Sequence, residues 1–286
     1  MTPELAAAYE HCRDVVRRSG SSFAATFWML PPERRRAIHA VYAFCRLADD
    51  IADDPDVRAD RRLLIERWRG ELEAAYLGKS QHPVGIALGD AVHRFRLPQW
   101  VFQELLRGVE SDLSGAPIET VDELERYCFR VASTVGLLVV ELLGYRNPRV
   151  RDYAEQLGIA VQMTNVLRDV GDDAASGRVY LPEEELVRFG VSRDEVLARR
   201  ESASLRLLLS SFAERARLHY ERAAELLPHE DRLRLRPAEA MGRIYRALLE
   251  ELHRKGYPCL GPALRLSKPR RVAIAAKAFL GVGGTA

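Results

Sequence analysis

The chain has 286 residues, 47% of them hydrophobic and 29% charged, which is an ordinary composition for a globular protein with one or two domains and a large core. The formal net charge of +2 argues against a protein that binds nucleic acid. The four cysteines form no C-x-x-C pair, so the sequence indicates neither a zinc site nor a redox pair, and scattered thiols suit a reducing compartment.

The predicted elements are helices throughout, because apolar residues recur at helical spacing and no segment alternates with period two. The first helix covers about 3–18, and its charged residues distinguish it from a signal peptide. The second begins at Pro31 and Pro32, and its apolar positions share one face. Further helices are predicted over about 58–77, 83–94, 98–113, 121–143, 148–173, 203–227 and 236–255. We therefore expect a single all-α domain over residues 1–286.

The longest apolar segment runs from Val131 to Gly144 and contains Glu141. It is shorter than the roughly 20 residues that span a bilayer, so we expect a buried helix. The small residues Ser133–Gly136 within it favour either close packing against another helix or room for an apolar ligand chain.

Two segments place acidic side chains on one face of a helix. Asp49 and Asp53 are four residues apart in "RLADDIADDPD", and Asn165, Asp169 and Asp173 follow at steps of four in "QMTNVLRDVGDD". Residues at this spacing lie on the same face, where like charges repel unless cations compensate them. The pattern therefore predicts two clusters of oxygen ligands.

Magnesium fits such clusters, because it takes oxygen ligands and binds a few carboxylates together with substrate phosphates. Arg46 and Arg168 lie beside the two stripes and can bind phosphate oxygens. The arrangement favours ionisation of a carbon–diphosphate bond, which requires charge neutralisation on the leaving group. The first stripe reads D-D-x-x-D, whereas the second, N-x-x-x-D-x-x-x-D, is closer to the terpene-cyclase pattern, so spacing leaves the subclass open.

Four longer segments carry further motifs: "SGSSFAATFWMLPPERRRAIHAVYAFCRLADDIAD", "RYCFRVASTVG", "GIAVQMTNVLRDVGDD" and "GRVYLPEEEL". In order and spacing they resemble the squalene/phytoene synthase family of head-to-head prenyl synthases, over roughly residues 19–190. Among its members, the S-G-S-S-F start and the "LRLSKPRR" tail most resemble bacterial presqualene diphosphate synthases. The resemblance implies an all-α isoprenoid-synthase fold, a helical bundle around a central apolar cavity.

The resemblance also implies roles for individual residues. The metal ligands would be Asp49, Asp53, Asn165, Asp169 and Asp173. The groups that hold diphosphate would be Ser22, Arg46 and Arg168, with Arg178 and Tyr180 near the cavity mouth. The residues near the reacting carbons would be Phe23, Tyr42, Tyr127, Gln162 and Tyr245, of which the aromatic ones can stabilise a carbocation.

We expect Tyr42, Tyr127, Arg46 and Arg168 to act in catalysis. Where many relatives have a second Ser and a Lys before the Ser-Phe pair, this chain has Gly20 and Ser21. A family arginine near the C-terminus aligns with Ala263, so Arg265 is the substitute proposed for substrate binding.

The expected reaction joins two farnesyl diphosphates to give presqualene diphosphate, with several Mg²⁺ ions and without NADPH. Phytoene or dehydrosqualene synthase, or a full squalene synthase that uses NADPH, are the alternatives. A head-to-tail chain elongator is disfavoured by the second stripe. A di-iron carboxylate protein is disfavoured because only Glu250–His253 has E-x-x-H spacing.

The C-terminal tail is basic, with seven Lys or Arg and no Asp or Glu from Leu252 onward. From about residue 266 it could form a solvated amphipathic helix or attach weakly to an anionic membrane surface. We expect a cytoplasmic protein. Its expected partners are the inner membrane face, which it would contact peripherally, and downstream enzymes of squalene formation.

Overall fold

The computed structural model describes residues 1–19, 30–53, 60–258 and 263–280, with the side chain of Asp53 outside that description. Within these ranges the protein is helical and contains no β-strand, which confirms the all-α prediction. The chain divides into two compact units, Met1–Ser114 with Thr134–Arg146, and Gly115–Ser133 with Asn147–Ala286. The prediction of a single domain stays a prediction.

Unit 1 contains the helices α1 (Pro3–Arg18), α2 (Pro32–Asp53), α3 (Arg61–Tyr76), α4 (Pro83–Phe95), α5 (Gln99–Ser114) and α7 (Thr134–Leu143). Side-chain caps fix two of the helix starts, since the Thr2 hydroxyl accepts from Leu5 N and the Asp60 carboxylate accepts from Arg62 N. α2 packs against α1, α3, α4, α5 and α7. It is therefore the central helix of this unit.

Aromatic packing forms the core around α2. Phe44 is fully buried, with the Trp68 ring stacked on it at 5.0 Å and the Phe102 ring edge-on at 5.5 Å between centroids. The Trp68 indole N–H donates to the Phe44 carbonyl at 3.2 Å. Such pairs contribute about 0.5–1.5 kcal/mol beyond area burial. The acidic C-terminal end of α2 therefore follows directly on a segment that is held in a well-packed apolar core.

Unit 2 contains α6 (Val121–Cys128), a π-helical turn (Phe129–Ser133), α8 (Val150–Ala175), α9 (Glu183–Phe189), α10 (Arg193–Leu197), α11 (Ala203–Leu226), a 3₁₀ turn (His229–Asp231), α12 (Arg232–Arg254) and α13 (Lys268–Leu280). α8 is the central helix of this unit, and α11 packs along much of its length. A Cβ at Gly158 of α8 would overlap the backbone of Ser133, so the two segments touch directly. Ser133 therefore takes part in close helix packing, while room for an apolar chain beside the rest of Ser133–Gly136 stays a prediction.

The predicted helices agree with the structure in position, and the Val131–Gly144 segment is largely buried as expected. Three features differ. The predicted helix over 121–143 is interrupted by the π turn, the short helices α9 and α10 were not predicted, and α12 begins at Arg232 with Pro237 inside it. Short helices lack enough turns to show periodicity, and a proline this close to a helix start removes only one backbone hydrogen bond.

The basic tail segment is helical, as the sequence suggested. Arg270 of α13 donates to Glu251 of α12 at 2.9 Å, and Leu266 joins Ile244 and Leu248 in an apolar cluster. None of the helices in the described part of the chain is long and apolar enough to cross a membrane. Cys12, Cys45 and Cys128 are buried free thiols, and burial raises the pKa of Cys12 to about 12, while Cys259 lies outside the described residues.

Candidate active site

A polar stripe interrupts the otherwise buried middle of α8. From Leu157 to Gly171 every residue is buried except four, which are half-buried. These four are Gln162, Asn165, Arg168 and Asp169. Their spacing of three and four residues places them on one face of the helix. A helix that is buried on its other sides but keeps one polar face accessible is typical of a ligand site rather than of a solvated surface helix.

Asn165 carries an unsatisfied acceptor within this stripe. Its Nδ2 donates to Gln162 Oε1 at 3.2 Å, whereas its buried Oδ1 has no hydrogen-bond partner in the described part of the chain. A buried acceptor without a donor costs about 1–3 kcal/mol, so it needs a partner supplied from elsewhere. An amide oxygen beside carboxylates fits a hard cation such as Mg²⁺. No preformed cluster of three or more His, Cys, Asp or Glu residues exists among the residues that could be searched.

Arg168 lies beside two other predicted site residues, Asp169 and Tyr245. Its Nε donates to Asp169 Oδ1 at 2.6 Å, and a second guanidinium nitrogen donates to Asp169 Oδ2, while the Tyr245 hydroxyl lies close enough to act on its charge. Burial disfavours the charged guanidinium, but Asp169 and Tyr245 outweigh burial and raise the pKa of Arg168 above its ordinary value. Arg168 is therefore a fixed cation, and α12 contributes Tyr245 to the stripe on α8.

The end of α8 turns sharply after Asp173. Gly177 has a φ of 77°, a left-handed conformation that suits glycine, and the Arg178 amide donates to the Asp173 carbonyl at 2.8 Å. The segment that follows brings Tyr180 against Tyr127, with stacked rings at 5.1 Å between centroids. Two residues predicted from separate motifs thus lie together in unit 2.

The first acidic stripe, in unit 1, is more exposed. Arg46 pairs with Asp50 at 2.6 Å, and Asp49 is exposed one residue earlier on the helix. The Tyr42 hydroxyl donates to Ser19 Oγ at 3.0 Å. The side chain of Asp53 lies outside the described residues.

The remaining predicted residues are less informative. Ser22 and Phe23 lie outside the described residues. Arg265 is exposed, between Leu264 and the buried Leu266. Its proposed role in substrate binding stays a prediction.

Sequence reasoning missed three features of these sites: the hydroxyl of Ser19 beside Tyr42, the π turn that follows Tyr127, and the stacking of Tyr127 on Tyr180. π turns are frequent at functional sites, and the apolar run around this one gave no signal for it. The pairing of Arg46 with Asp50 could have been found from their spacing of four residues.

Comparison with solved structures defines the class of protein. The chain superimposes on a dehydrosqualene synthase with a TM-score of 0.85 and 30% identity, covering 96% of each chain. It superimposes on squalene synthase HpnC from Alicyclobacillus acidocaldarius with a TM-score of 0.82 and 28% identity, covering 90% of this chain and 97% of the other. The fold is therefore that of the all-α isoprenoid synthases.

Sequence comparison defines the family. Residues 16–273 match the family model described as squalene/phytoene synthase. The chain is 32% identical to phytoene synthase 2 of Solanum lycopersicum over 274 residues, 94% of this chain and 88% of that protein. It is 33% identical to phytoene synthase 3 of Zea mays over 283 residues, 96% of this chain but 66% of that protein. The protein belongs to the squalene/phytoene synthase family, whose members are prenyltransferases that bind prenyl diphosphates with divalent metal ions.

Proposed function

We propose that the protein catalyses the Mg²⁺-dependent head-to-head condensation of two farnesyl diphosphates to presqualene diphosphate. The polar stripe of α8 carries this proposal, because it combines an unpartnered amide oxygen, a carboxylate and a fixed guanidinium on one face of a buried helix. The first diphosphate leaves as an allylic cation forms, the double bond of the second molecule attacks that cation, and loss of a proton closes the cyclopropane.

In this proposal the protein's own groups bind and orient the first diphosphate. Asn165, Asp169 and Asp173 supply oxygen ligands, and Mg²⁺, when bound, neutralises charge on the leaving group. Arg168 donates to diphosphate oxygens, for which it must exchange part of its pairing with Asp169. On α2, Asp49 and Asp53 are proposed ligands of the same kind, with Arg46 as a second diphosphate donor.

Aromatic and apolar groups protect the carbocation. Tyr127 and Tyr180 present stacked aromatic rings beside the end of α8, and an aromatic face stabilises a cation within about 6 Å of its centroid. Tyr42 on α2 and Tyr245 on α12 are proposed for the same environment, together with Gln162 and Phe23. Exclusion of water is essential, since water quenches the cation.

The preference for farnesyl over geranylgeranyl diphosphate rests on two observations. Two similar solved structures are a dehydrosqualene synthase and a squalene synthase, both named for products built from two farnesyl units. The S-G-S-S-F start and the "LRLSKPRR" tail resemble those of presqualene diphosphate synthases. The curated relatives are phytoene synthases, and this favours phytoene synthase as the second candidate.

Product analysis tests the proposal. The protein is incubated with Mg²⁺ and either farnesyl or geranylgeranyl diphosphate, without and then with NADPH, and products are identified by mass spectrometry. We expect presqualene diphosphate from farnesyl diphosphate under both conditions. Phytoene from geranylgeranyl diphosphate in place of that product would establish the second candidate, and squalene only with NADPH would identify a full squalene synthase.

We also propose that the protein acts as a single domain and that α13 gives weak contact with an anionic membrane, where downstream enzymes of squalene formation would receive the product. α13 carries Lys268, Arg271 and Lys277, with Val272 and Leu280 exposed. Flotation with anionic liposomes should retain the full chain more than a 1–266 truncation. Equal flotation of the two, once the truncation is shown to be folded by circular dichroism, would contradict membrane contact.

A further inference from the structure

A groove separate from the polar stripe lies in unit 2, between α11 and α12, with α8 as its floor. Its volume is about 380 Å³, within the range of small-molecule sites. Gly242 of α12 packs against the floor, since a Cβ there would overlap the Leu157 side chain. Elsewhere the groove is open because the facing positions have small side chains: Ala223 and Ala224 on α11, and Ala247 on α12. Larger residues there would fill the space between the two helices.

The floor of the groove contains an unused hydrogen-bond donor. Tyr153 is 3% exposed, and its hydroxyl has no hydrogen-bond partner in the described ranges. A buried hydroxyl in a folded protein nearly always has one. The hydroxyl lies close to the charged part of the lining, since it feels the electrostatic effect of Glu239, Arg243 and Arg232. An unsatisfied donor at this position indicates a ligand that brings an acceptor.

The two carboxylates of the lining are already neutralised. Glu239 pairs with Arg243 at 2.6 Å, and Glu250 pairs with Arg217 of α11 at 2.9 Å. The hydrogen bond and charge of Arg217 lower the pKa of Glu250 despite its partial burial, so this carboxylate stays ionised and engaged. Neither glutamate is therefore available as the main partner of a further cation.

Two more arginines line the groove without such partners. Arg232, at the start of α12, and Arg246, in its middle, also line the groove. Neither guanidinium has an ion pair or hydrogen bond within the described chain, and Arg246 acts on Glu250 only at longer range. Because both glutamates of the lining are already in ion pairs, Arg232 and Arg246 contribute two positive charges without an ion-pair partner among the described residues. Unpaired guanidinium groups at a concave, partly apolar site are suited to an anion.

We propose that this groove binds a small anionic amphiphile, with a phosphate or carboxylate head against Arg232 and an apolar tail over Ala223, Ala224 and Leu227. Arg246 lies fourteen residues further along α12, about 21 Å at 1.5 Å per residue, and so lines the other end of the groove. The Tyr153 hydroxyl donates to the head from the floor. The site uses the face of α8 that carries Tyr153, not the polar stripe. It therefore stands independently of the proposed condensation reaction.

Calorimetric titration of the full chain with octyl phosphate, in EDTA, tests this site. We expect one octyl phosphate per chain, bound more tightly than inorganic phosphate or octanol, because head and tail both contribute. Arg232→Gln should weaken binding at least about tenfold through the loss of a charge-assisted contact. Ala224→Leu, which fills the groove and keeps every charge, should weaken it similarly. Arg222→Gln, an exposed arginine of α11 outside the groove, should leave binding unchanged.

Three results would overturn the proposal: no binding of octyl phosphate to the unaltered chain, equal affinity for octanol, or unchanged affinity in both groove variants with melting temperatures near that of the unaltered chain. Arg168→Gln serves as the second control, because in EDTA the polar stripe would hold an anion through this guanidinium. It should bind octyl phosphate normally, and loss of binding there would assign the amphiphile to the polar stripe instead. A failed condensation assay leaves all of these outcomes intact.

Discussion

The two acidic stripes have similar spacing but different surroundings. On α2, the side chains of Arg46 and Asp50 are 44% and 37% exposed, and they form an ordinary pair four residues apart. On α8, Arg168 and Asp169 are 24% and 25% exposed, adjacent in sequence, and joined by two hydrogen bonds. Only the α8 stripe has an identified buried acceptor without a donor, within the part of the chain described.

The difference shows which stripe is already organised for a ligand. Charges that are partly removed from water interact more strongly, since solvent screens them less. Substitutions in the α8 stripe should therefore change function strongly. The exposed Arg46–Asp50 pair should contribute little to stability, because surface ion pairs are worth about 0–1 kcal/mol.

The largest effect is expected for Asp169→Asn, which removes a carboxylate from the centre of the α8 stripe. We predict a loss of turnover on the order of a thousandfold, because a group that stabilises charge in the transition state is removed. Steady-state rates with farnesyl diphosphate and Mg²⁺ measure it. Asp172→Asn is the matched control: it is an exposed neighbour on the same helix and should stay near the original rate. Equal losses in both variants would contradict a specific role for the stripe.

Asn165 offers a finer test of the unpartnered oxygen. Asn165→Ala should raise the Mg²⁺ concentration for half-maximal activity by about tenfold or more, because an oxygen ligand is lost. Asn165→Asp keeps an oxygen at this position, so it should reach half-maximal activity at a lower Mg²⁺ concentration than the alanine variant. A Mg²⁺ titration that is identical for all three proteins would show that this oxygen faces no metal.

Gly158→Ala probes the buried side of α8 rather than the stripe. The added Cβ would overlap the backbone of Ser133, so we predict a destabilisation of about 1–3 kcal/mol from overpacking. Urea unfolding measures the change. Gly70→Ala on α3 is the control: its Cβ meets nothing within 4 Å, and alanine favours a helix by about 0.5–1 kcal/mol over glycine. An unchanged free energy of unfolding in Gly158→Ala would contradict the predicted overpacking and would show that the π turn moves easily to make room for the methyl group.

The smallest effect is expected on α2. Asp50→Asn removes the partner of Arg46, and we predict a loss of unfolding free energy below about 1 kcal/mol, because both side chains are substantially exposed. The same urea experiment measures it, with and without added salt. A loss above 2 kcal/mol that persists in high salt would show that this pair is as organised as the one on α8.

The sequence was sufficient for the long helices and for the order of residues along each stripe, because both depend on local spacing. Asp169 and Asn165 could be placed on one face from a step of four residues. The presence of Tyr245 and Arg168 in one site was implied only by the resemblance to a family, since the two residues come from different helices. The stack of Tyr127 on Tyr180 and the α11–α12 groove could not be predicted, because both depend on how distant segments pack.

Metal binding to the α8 stripe is the central claim, and Mn²⁺ binding measured by electron paramagnetic resonance tests it most directly. The measurement uses the full chain with farnesyl thiodiphosphate, an unreactive analogue that holds the complex before ionisation. We predict bound Mn²⁺ in the unaltered protein and in Asp172→Asn, and its loss or marked weakening in Asp169→Asn. Undiminished Mn²⁺ binding by a folded Asp169→Asn variant would contradict the assignment of this stripe as the metal–diphosphate site.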